Sequence, residues 1–275
     1  MEKWKYRVKK IAAILLTLTL ILGAVDLSAF SVNAAENYGT LIEGGETGEC
    51  QWAVYDSNGD ETGDLMIISG EGSMGERVWD PPAMQNVPLP WEKYRETINA
   101  VVVEEGVTTI IDGAFQEFMS VSSITLPESF TSIGAGAFMC SITHLRIPAG
   151  VKRIGESAFY GTRITSIEIP EGVTTIENCA FHGTALKSVK LPKSVTNIAE
   201  YAFAYSLDLT SIEIPEGVKN IGEGAFAWCE SLTSIKIPEG VTDIFDRTFE
   251  NCSSLTSVEL PDSVTSIGCY TFLSF

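Results

Sequence analysis

The chain has 275 residues, with 18 Lys and Arg against 36 Asp and Glu for a formal net charge of −18, and 45% of its residues are hydrophobic. That is ample apolar material for a packed core. The acidity argues against nucleic acid and anionic lipid as partners, because both require a basic footprint.

The chain opens on Lys3, Lys5, Arg7, Lys9 and Lys10, followed by the uncharged run Ile11–Leu22 and by small residues at Val32-Asn33-Ala34. The run is too short to span a bilayer comfortably, and Asp26 and the polar stretch after it break the run. Residues 1–35 therefore read as a secretory signal peptide cleaved after Ala34 or Ala35, with a retained anchor helix as the alternative. Cleavage leaves no membrane insertion and a mature charge of −21, since residues 1–35 carry five basic and two acidic side chains.

Residues 36–96 read as an N-terminal capping module. Gln51–Tyr55 and Asp64–Ser69 alternate apolar and polar residues around Asn58-Gly59, which predicts a β-hairpin. The loop from Asp56 to Asp64 has oxygen ligands at alternate places, like a calcium loop. However, Glu61 stands where a calcium loop needs Gly and Ile67 where it needs a bidentate Glu. Beyond it, Trp79, Pro81, Pro82, Pro88, Pro90 and Trp91 form an irregular aromatic-proline segment. Trp79 and Trp91 are candidate binding residues, and capping or turn packing is their ordinary alternative.

From residue 97 to 275 the chain repeats itself. Phe115, Phe138, Phe159, Phe181, Phe203, Phe226, Phe249 and Phe272 return at steps of 21 to 23 residues. A period in the low twenties is one coil of a solenoid. Each unit carries a proline preceded by an alternating apolar pair, such as Ile167/Ile169 before Pro170, which predicts a short strand with one face inward. A second apolar pair comes next, as in Val173/Ile176. The unit ends in Ala-Phe, where a single helical or 3₁₀ turn is expected around the buried ring. Unit length varies only between the Phe and the next inward aliphatic, which marks that turn as the exposed outer loop. The expectation is a right-handed β-rich solenoid of about eight units with short strands and helical turns, the last unit truncated.

The pattern L-T-S-I-x-I-P-E-G-V-T-x-I-x-x-x-A-F-x-x-C resembles the BspA-like leucine-rich-repeat family of bacterial and protist surface proteins. Upstream, Thr47–Cys50, Gly63–Leu65, Ile68–Met74 and Pro90-Trp91 look like the segment that precedes the first repeat in many members. The resemblance implies a curved solenoid, in some members adhesion to host or bacterial surfaces, and no catalysis. It also implies that the Cys after the Phe is a small buried filler. By stacking alone, Cys229 and Cys252 occupy equivalent sites about 5 Å apart, so a disulfide between them stays open as the minor alternative.

Other chemistry is scarce. Cys140 with His144 and Cys179 with His182 imitate metal half-sites but lie in units two apart, and no catalytic set or phosphate loop is discernible. No cofactor is expected. On the outward row of the long strands, Arg146, Glu168, Lys190, Glu213, Lys236 and Glu259 alternate in sign, which predicts a neutralised charge ladder with a structural role. Tyr160, Tyr205 and Trp228 follow the Phe on the outer turns and are the candidate binding residues of the repeats. The reading is a secreted, non-enzymatic solenoid that binds a protein or another surface macromolecule. Two rivals stand beside it: a spacer or stalk whose active module lies beyond residue 275, and a hydrolase sited in the N-terminal module. The final unit stops three residues past Phe272, which leads to the expectation of a fragment or of an end hidden in an assembly.

Overall fold

A computed structural model describes residues 38–80 and 85–274. The expected signal peptide, Pro81 and Pro82 lie outside them. The apolar alternation of the N-terminal module produces three antiparallel strands, β1 (Thr40–Thr47), β2 (Cys50–Asp56) and β3 (Leu65–Gly70). Tyr55 stands opposite Leu65, so the β2–β3 hairpin is the one the sequence predicts. Its loop belongs to the turn. Asp56 accepts bonds from the backbone N–H groups of Asn58, Gly59, Asp60 and Glu61, and Asp64 from the N–H and hydroxyl of Ser57. Short side chains that satisfy nearby backbone in this way fix a turn.

After β4 (Gly72–Ser73), β5 (Trp79–Asp80), β6 (Gln85–Asn86) and a 3₁₀ turn at Glu92–Tyr94, the chain winds into a β-solenoid of about seven turns. Each coil crosses three faces. The first holds the strands before the prolines: β7 (Ala100–Val103) lies beside β9 (Ser123–Thr125), and further along Ser166–Glu168 pairs with Ser188–Lys190 and Ser234–Lys236 with Ser257–Glu259. The second holds β8 (Val107–Ile110) and its successors, including Ser132–Ile133, Arg153–Ile154, Thr175–Ile176 and Asn197–Ile198. On both faces the pairs are parallel and in register, so each inward Ile or Val sits on its counterpart in the next coil.

The third face differs from expectation, for the Ala-Phe segment does not form a helical turn. Every second residue donates to the following coil: Ser157 to Asn178, Phe159 to Ala180, and Gly161 to His182, at 2.8–2.9 Å. The residues between close bonds within their own coil, as Tyr160 does to Ser157 and Thr162 to Phe159. A helix would need right-handed residues two before and two after the Phe. Those positions are left-handed, at Ser157, Cys179, Tyr201, Arg247 and Tyr270 before it and at Glu117, Tyr205, Trp228 and Asn251 after it, with φ between 53° and 66°. Alternating the two hands aims these N–H groups at the C-terminal neighbour and the opposing C=O groups back at the N-terminal one.

The interior is one continuous apolar column. Phe115, Phe138, Phe159, Phe181, Phe203, Phe226 and Phe249 are 0% exposed, while Phe272 is half-buried. Neighbouring ring centroids lie 5.2–6.4 Å apart. All pairs are within 12° of parallel except Phe138–Phe159 at 34°, which belongs to the coil with the shortest outer turn. Beside the rings runs a column of small polar side chains. The Ser206 hydroxyl and the Cys229 and Cys252 thiols donate to the Phe carbonyls of the preceding coil, Phe181, Phe203 and Phe226, at 3.2, 3.3 and 3.1 Å. Both cysteines are free and fully buried. The disulfide alternative is therefore not the one realised, because each thiol is turned to its own carbonyl rather than to its neighbour. Burial pushes the Cys252 thiol up to about 12 and that of Cys229 well above its ordinary range, so neither is a nucleophile at neutral pH.

The N-terminal module meets the first coil on all three faces. β3 pairs in parallel with β7 and β4 with β8. On the third face the outward carbonyls of the first coil have no preceding coil to donate to them. The Arg77 guanidinium donates to Asp112 O at 3.4 Å, and the Trp91 indole Nε1 to Ala114 O at 2.8 Å. Arg77 is held by an ion pair with Glu92, both side chains being mostly buried. Trp91 is 0% exposed. It therefore caps the solenoid and offers no binding surface, correcting its place among the candidate binding residues.

Phe203→Ala removes a ring stacked on both faces and should cost about 3–5 kcal/mol in a denaturant titration. Lys190→Ala, on the exposed strand row, should leave the midpoint unchanged. Trp91→Phe keeps an aromatic ring but orphans the Ala114 carbonyl, and it should lower global stability by about 1–3 kcal/mol.

Candidate functional site on the outer turns

A functional surface on a solenoid must be sought among side chains that the stacking does not consume. The long-strand face is largely occupied with itself. Only Glu168 and Lys190 realise the expected charge ladder as an ion pair. Arg146 turns instead to Glu128, and Lys236 to Glu216 at 3.6 Å. The reason is geometric: the acidic residue that follows the proline of the preceding coil, Glu128 or Glu216, reaches the same strip and competes with the in-register partner. His144 also lies on this face, its Nδ1 2.9 Å from the Thr143 hydroxyl.

The outer turns present a different surface. Tyr160, His182, Tyr205 and Trp228 form one ladder of rings, with centroid separations of 4.6, 5.1 and 5.3 Å. Tyr160 and Tyr205 are 39% and 44% exposed, and His182 and Trp228 are half-buried. Tyr160 and His182 occupy the position after their Phe. Tyr205 and Trp228 stand one residue later, where the two preceding coils have Gly161 and Gly183. Those positions are left-handed in all four coils, with φ of 68° and 66° at the glycines against 58° and 61° at Tyr205 and Trp228. A bulky residue in that conformation is strained by roughly 1–2 kcal/mol. The fold accepts that strain at two successive coils and places an aromatic ring on the outer turn each time, exposed at Tyr205 and half-buried at Trp228.

A second cluster flanks the ladder two residues before the Phe. The Tyr201 hydroxyl donates to Glu223 Oε1 at 2.9 Å, Arg247 Nη1 donates to the same oxygen at 3.2 Å, and the Arg247 guanidinium lies 5.9 Å from the Tyr270 ring centroid. The outer turns thus gather Tyr, Trp and Arg on a rigid backbone, the residue types that anchor protein interfaces. Leu207, 46% exposed, adds aliphatic surface on the same turns.

The structure unites three of the sequence candidates, Tyr160, Tyr205 and Trp228, in one ladder and separates them from Trp91. Trp79 is in β5, and its side chain lies outside the described residues. His182 is the member that sequence reasoning missed, and its signal was its shared offset with Tyr160 from the Phe. Its Nδ1 is buried without a hydrogen-bond partner, and burial lowers its basicity below the ordinary histidine value. Among the described residues no group of three or more His, Cys, Asp and Glu could hold a metal ion.

The BspA-type leucine-rich-repeat region matches residues 93–207 and 196–275, in six copies. The chain belongs to the BspA-type leucine-rich-repeat family. It is similar to a leucine-rich cell surface protein from Faecalibacterium prausnitzii, with 32% identity and a TM-score of 0.46 over 66% of this chain, and it spans only 58% of that protein's length. It is also similar to a leucine-rich repeat protein from Eubacterium ventriosum, with 20% identity, a TM-score of 0.46, and coverage of 83% of this chain and 93% of that one. A Treponema pallidum leucine-rich repeat protein is 22% identical, with a TM-score of 0.36 and coverage of 84% and 89%. No curated protein matches the chain. Among the described residues no helix is long and apolar enough to cross a membrane.

The buried imidazole in the ladder gives a signed pH effect. A histidine whose folded value lies below its ordinary 6.5 favours the neutral folded form. Its contribution to stability is present above that value and is lost as pH falls below it, because the unfolded chain then binds the proton more readily. Thermal melts should show a decline in stability below pH 6.5 that His182→Phe abolishes.

Proposed function

We propose that this BspA-type repeat protein is exported to the cell surface and binds a macromolecular partner, a protein, through the aromatic ladder of its outer turns, without catalysing a reaction. One observation carries the reading: Tyr205 and Trp228 hold strained left-handed backbone where glycine serves the neighbouring coils. Packing does not require a ring there, since Gly161 and Gly183 close the same turns without one. Their rings stack on one another and on His182 at the outer turn rather than in the Phe column, so the retained strain points to use by a partner. The basic start and apolar run of residues 1–35 support export. The acidic surface and the ladder's Tyr and Trp edges favour a protein partner over nucleic acid.

The spacer reading, in which every contact is internal, makes the opposite prediction about these rings. Replacing both Tyr205 and Trp228 by Gly restores the residue of the two preceding coils and should leave the melting temperature unchanged or raised. The same double variant should lose at least tenfold in affinity for whichever host-matrix or bacterial-surface protein the wild type binds in surface plasmon resonance. Equal binding by a folded double variant sinks the ladder as the site. An absence of binding by the wild type across such a panel favours the spacer.

A further inference from the structure

We propose that the outer edge of β1 binds an extended lysine- or arginine-bearing segment of another protein by strand addition, with one basic side chain entering the hollow beside that edge. β1 is the outermost strand of the five-stranded sheet β1-β2-β3-β7-β9. It pairs with β2 on one side and, among the described residues, with no strand on the other. Its outer row of N–H and C=O groups is a template for one more strand. Natural edges are commonly blunted by lysine, proline or a bulge; β1, TLIEGGET, has no lysine or proline, and its register shift lies between Leu41 and Glu43, so Glu43–Thr47 pairs regularly with β2. Instead it exposes Leu41 and Ile42, at 57% and 38%.

The hollow tells what kind of strand fits. A cavity of about 300 Å³ opens beside β1. Ala53, Tyr55 and Ile67 share one side of the sheet by register, opposite the side that carries Trp52 and Ile68 into the solenoid core. Together they give the cavity an apolar floor. Tyr38 stacks on Tyr55 with ring centroids 5.6 Å apart, and Gly44 leaves the side toward the edge without a side chain. The charged groups in the lining are carboxylates, Glu46 and Glu104, and there is no Lys, Arg or His among the lining residues. Burial, with the charge of Glu104 second, pushes the Tyr38 phenol up to about 12. An apolar floor under negative charge suits a cation on an aliphatic stem, as Lys and Arg provide, and repels anions. An added strand presents every second side chain to that side of the sheet, so a basic residue in the hollow and backbone pairing along β1 are compatible in one register.

The test uses the purified protein and capped octapeptides in calorimetric titrations at low salt. The probes are alternating Val/Lys, alternating Val/Glu, and two Val/Lys versions N-methylated at odd or at even residues. The Val/Lys peptide should bind, the Val/Glu peptide should give no heat, and at least one methylated version should bind tenfold or more weakly. Ala53→Leu, which fills the hollow without altering the edge backbone, should weaken binding at least tenfold. Glu46→Gln should weaken it while leaving the melt intact. Failure of the Val/Lys peptide to bind overturns the proposal, as does equal binding by Val/Glu. Equal binding by both methylated peptides reduces the effect to general attraction to an acidic surface and overturns strand addition. Undiminished binding by folded variants of both kinds removes the hollow. A dimer in sedimentation that survives excess Val/Lys peptide assigns the edge to a second copy instead.

Discussion

The alternation of right- and left-handed residues around each buried Phe is the constraint on which the rest of the molecule depends. A helical turn at that place would satisfy its backbone within one coil and leave neighbouring coils joined by side chains alone. The alternation sends up to three N–H groups per coil to the next one, so the turn face is bonded along the stack just as the strand faces are. Coils bonded on three faces come close enough for the Phe rings to stack at 5.2–6.4 Å. The ring column and the turn ladder therefore require each other.

The same ladder has a polarity that the strand faces lack. Its donors all point one way and its acceptors the other, so the first coil shows a row of bare carbonyls. A parallel strand can cap a strand face, and β3 and β4 do so. Capping the turn face requires donors that are not part of a strand. An indole N–H and a guanidinium meet that need, and the positive charge of Arg77 suits a row of carbonyl oxygens. Trp91 and Arg77 thereby acquire a structural role that explains their burial without appeal to a ligand.

The polarity also shapes where function can reside. Positions two before each Phe, and two after each Phe except Phe138, are left-handed, a condition under which glycine is the undemanding choice. The repeat uses glycine there in some coils and a large or charged residue in others. Departures from glycine at such positions cost stability, so they carry information about use. Tyr205 and Trp228 share those grounds with Tyr201, Arg247 and Tyr270 and stand out because their rings join one stacked ladder, whereas exposure alone does not separate them from Met119 or Leu273.

Much of this fold was legible in the residues. The 21 to 23 residue return of Phe, the alternation before each proline and the apolar pair after it determined a solenoid with two strand faces, because inward periodicity is a local property of sequence. The Asn-Gly hairpin was legible for the same reason. The third face was not, since Ala-Phe is compatible with a helical turn and only bonding between coils selects the alternating backbone. Nor was the ladder as a single site, for Tyr160 and His182 sit one residue after their Phe and Tyr205 and Trp228 two. Their common column exists only once the coils are stacked. Trp79 and Trp91 looked alike in sequence. The tertiary structure alone fixed Trp91 as a cap, because the unpaired Ala114 carbonyl it serves is a product of where the first coil begins.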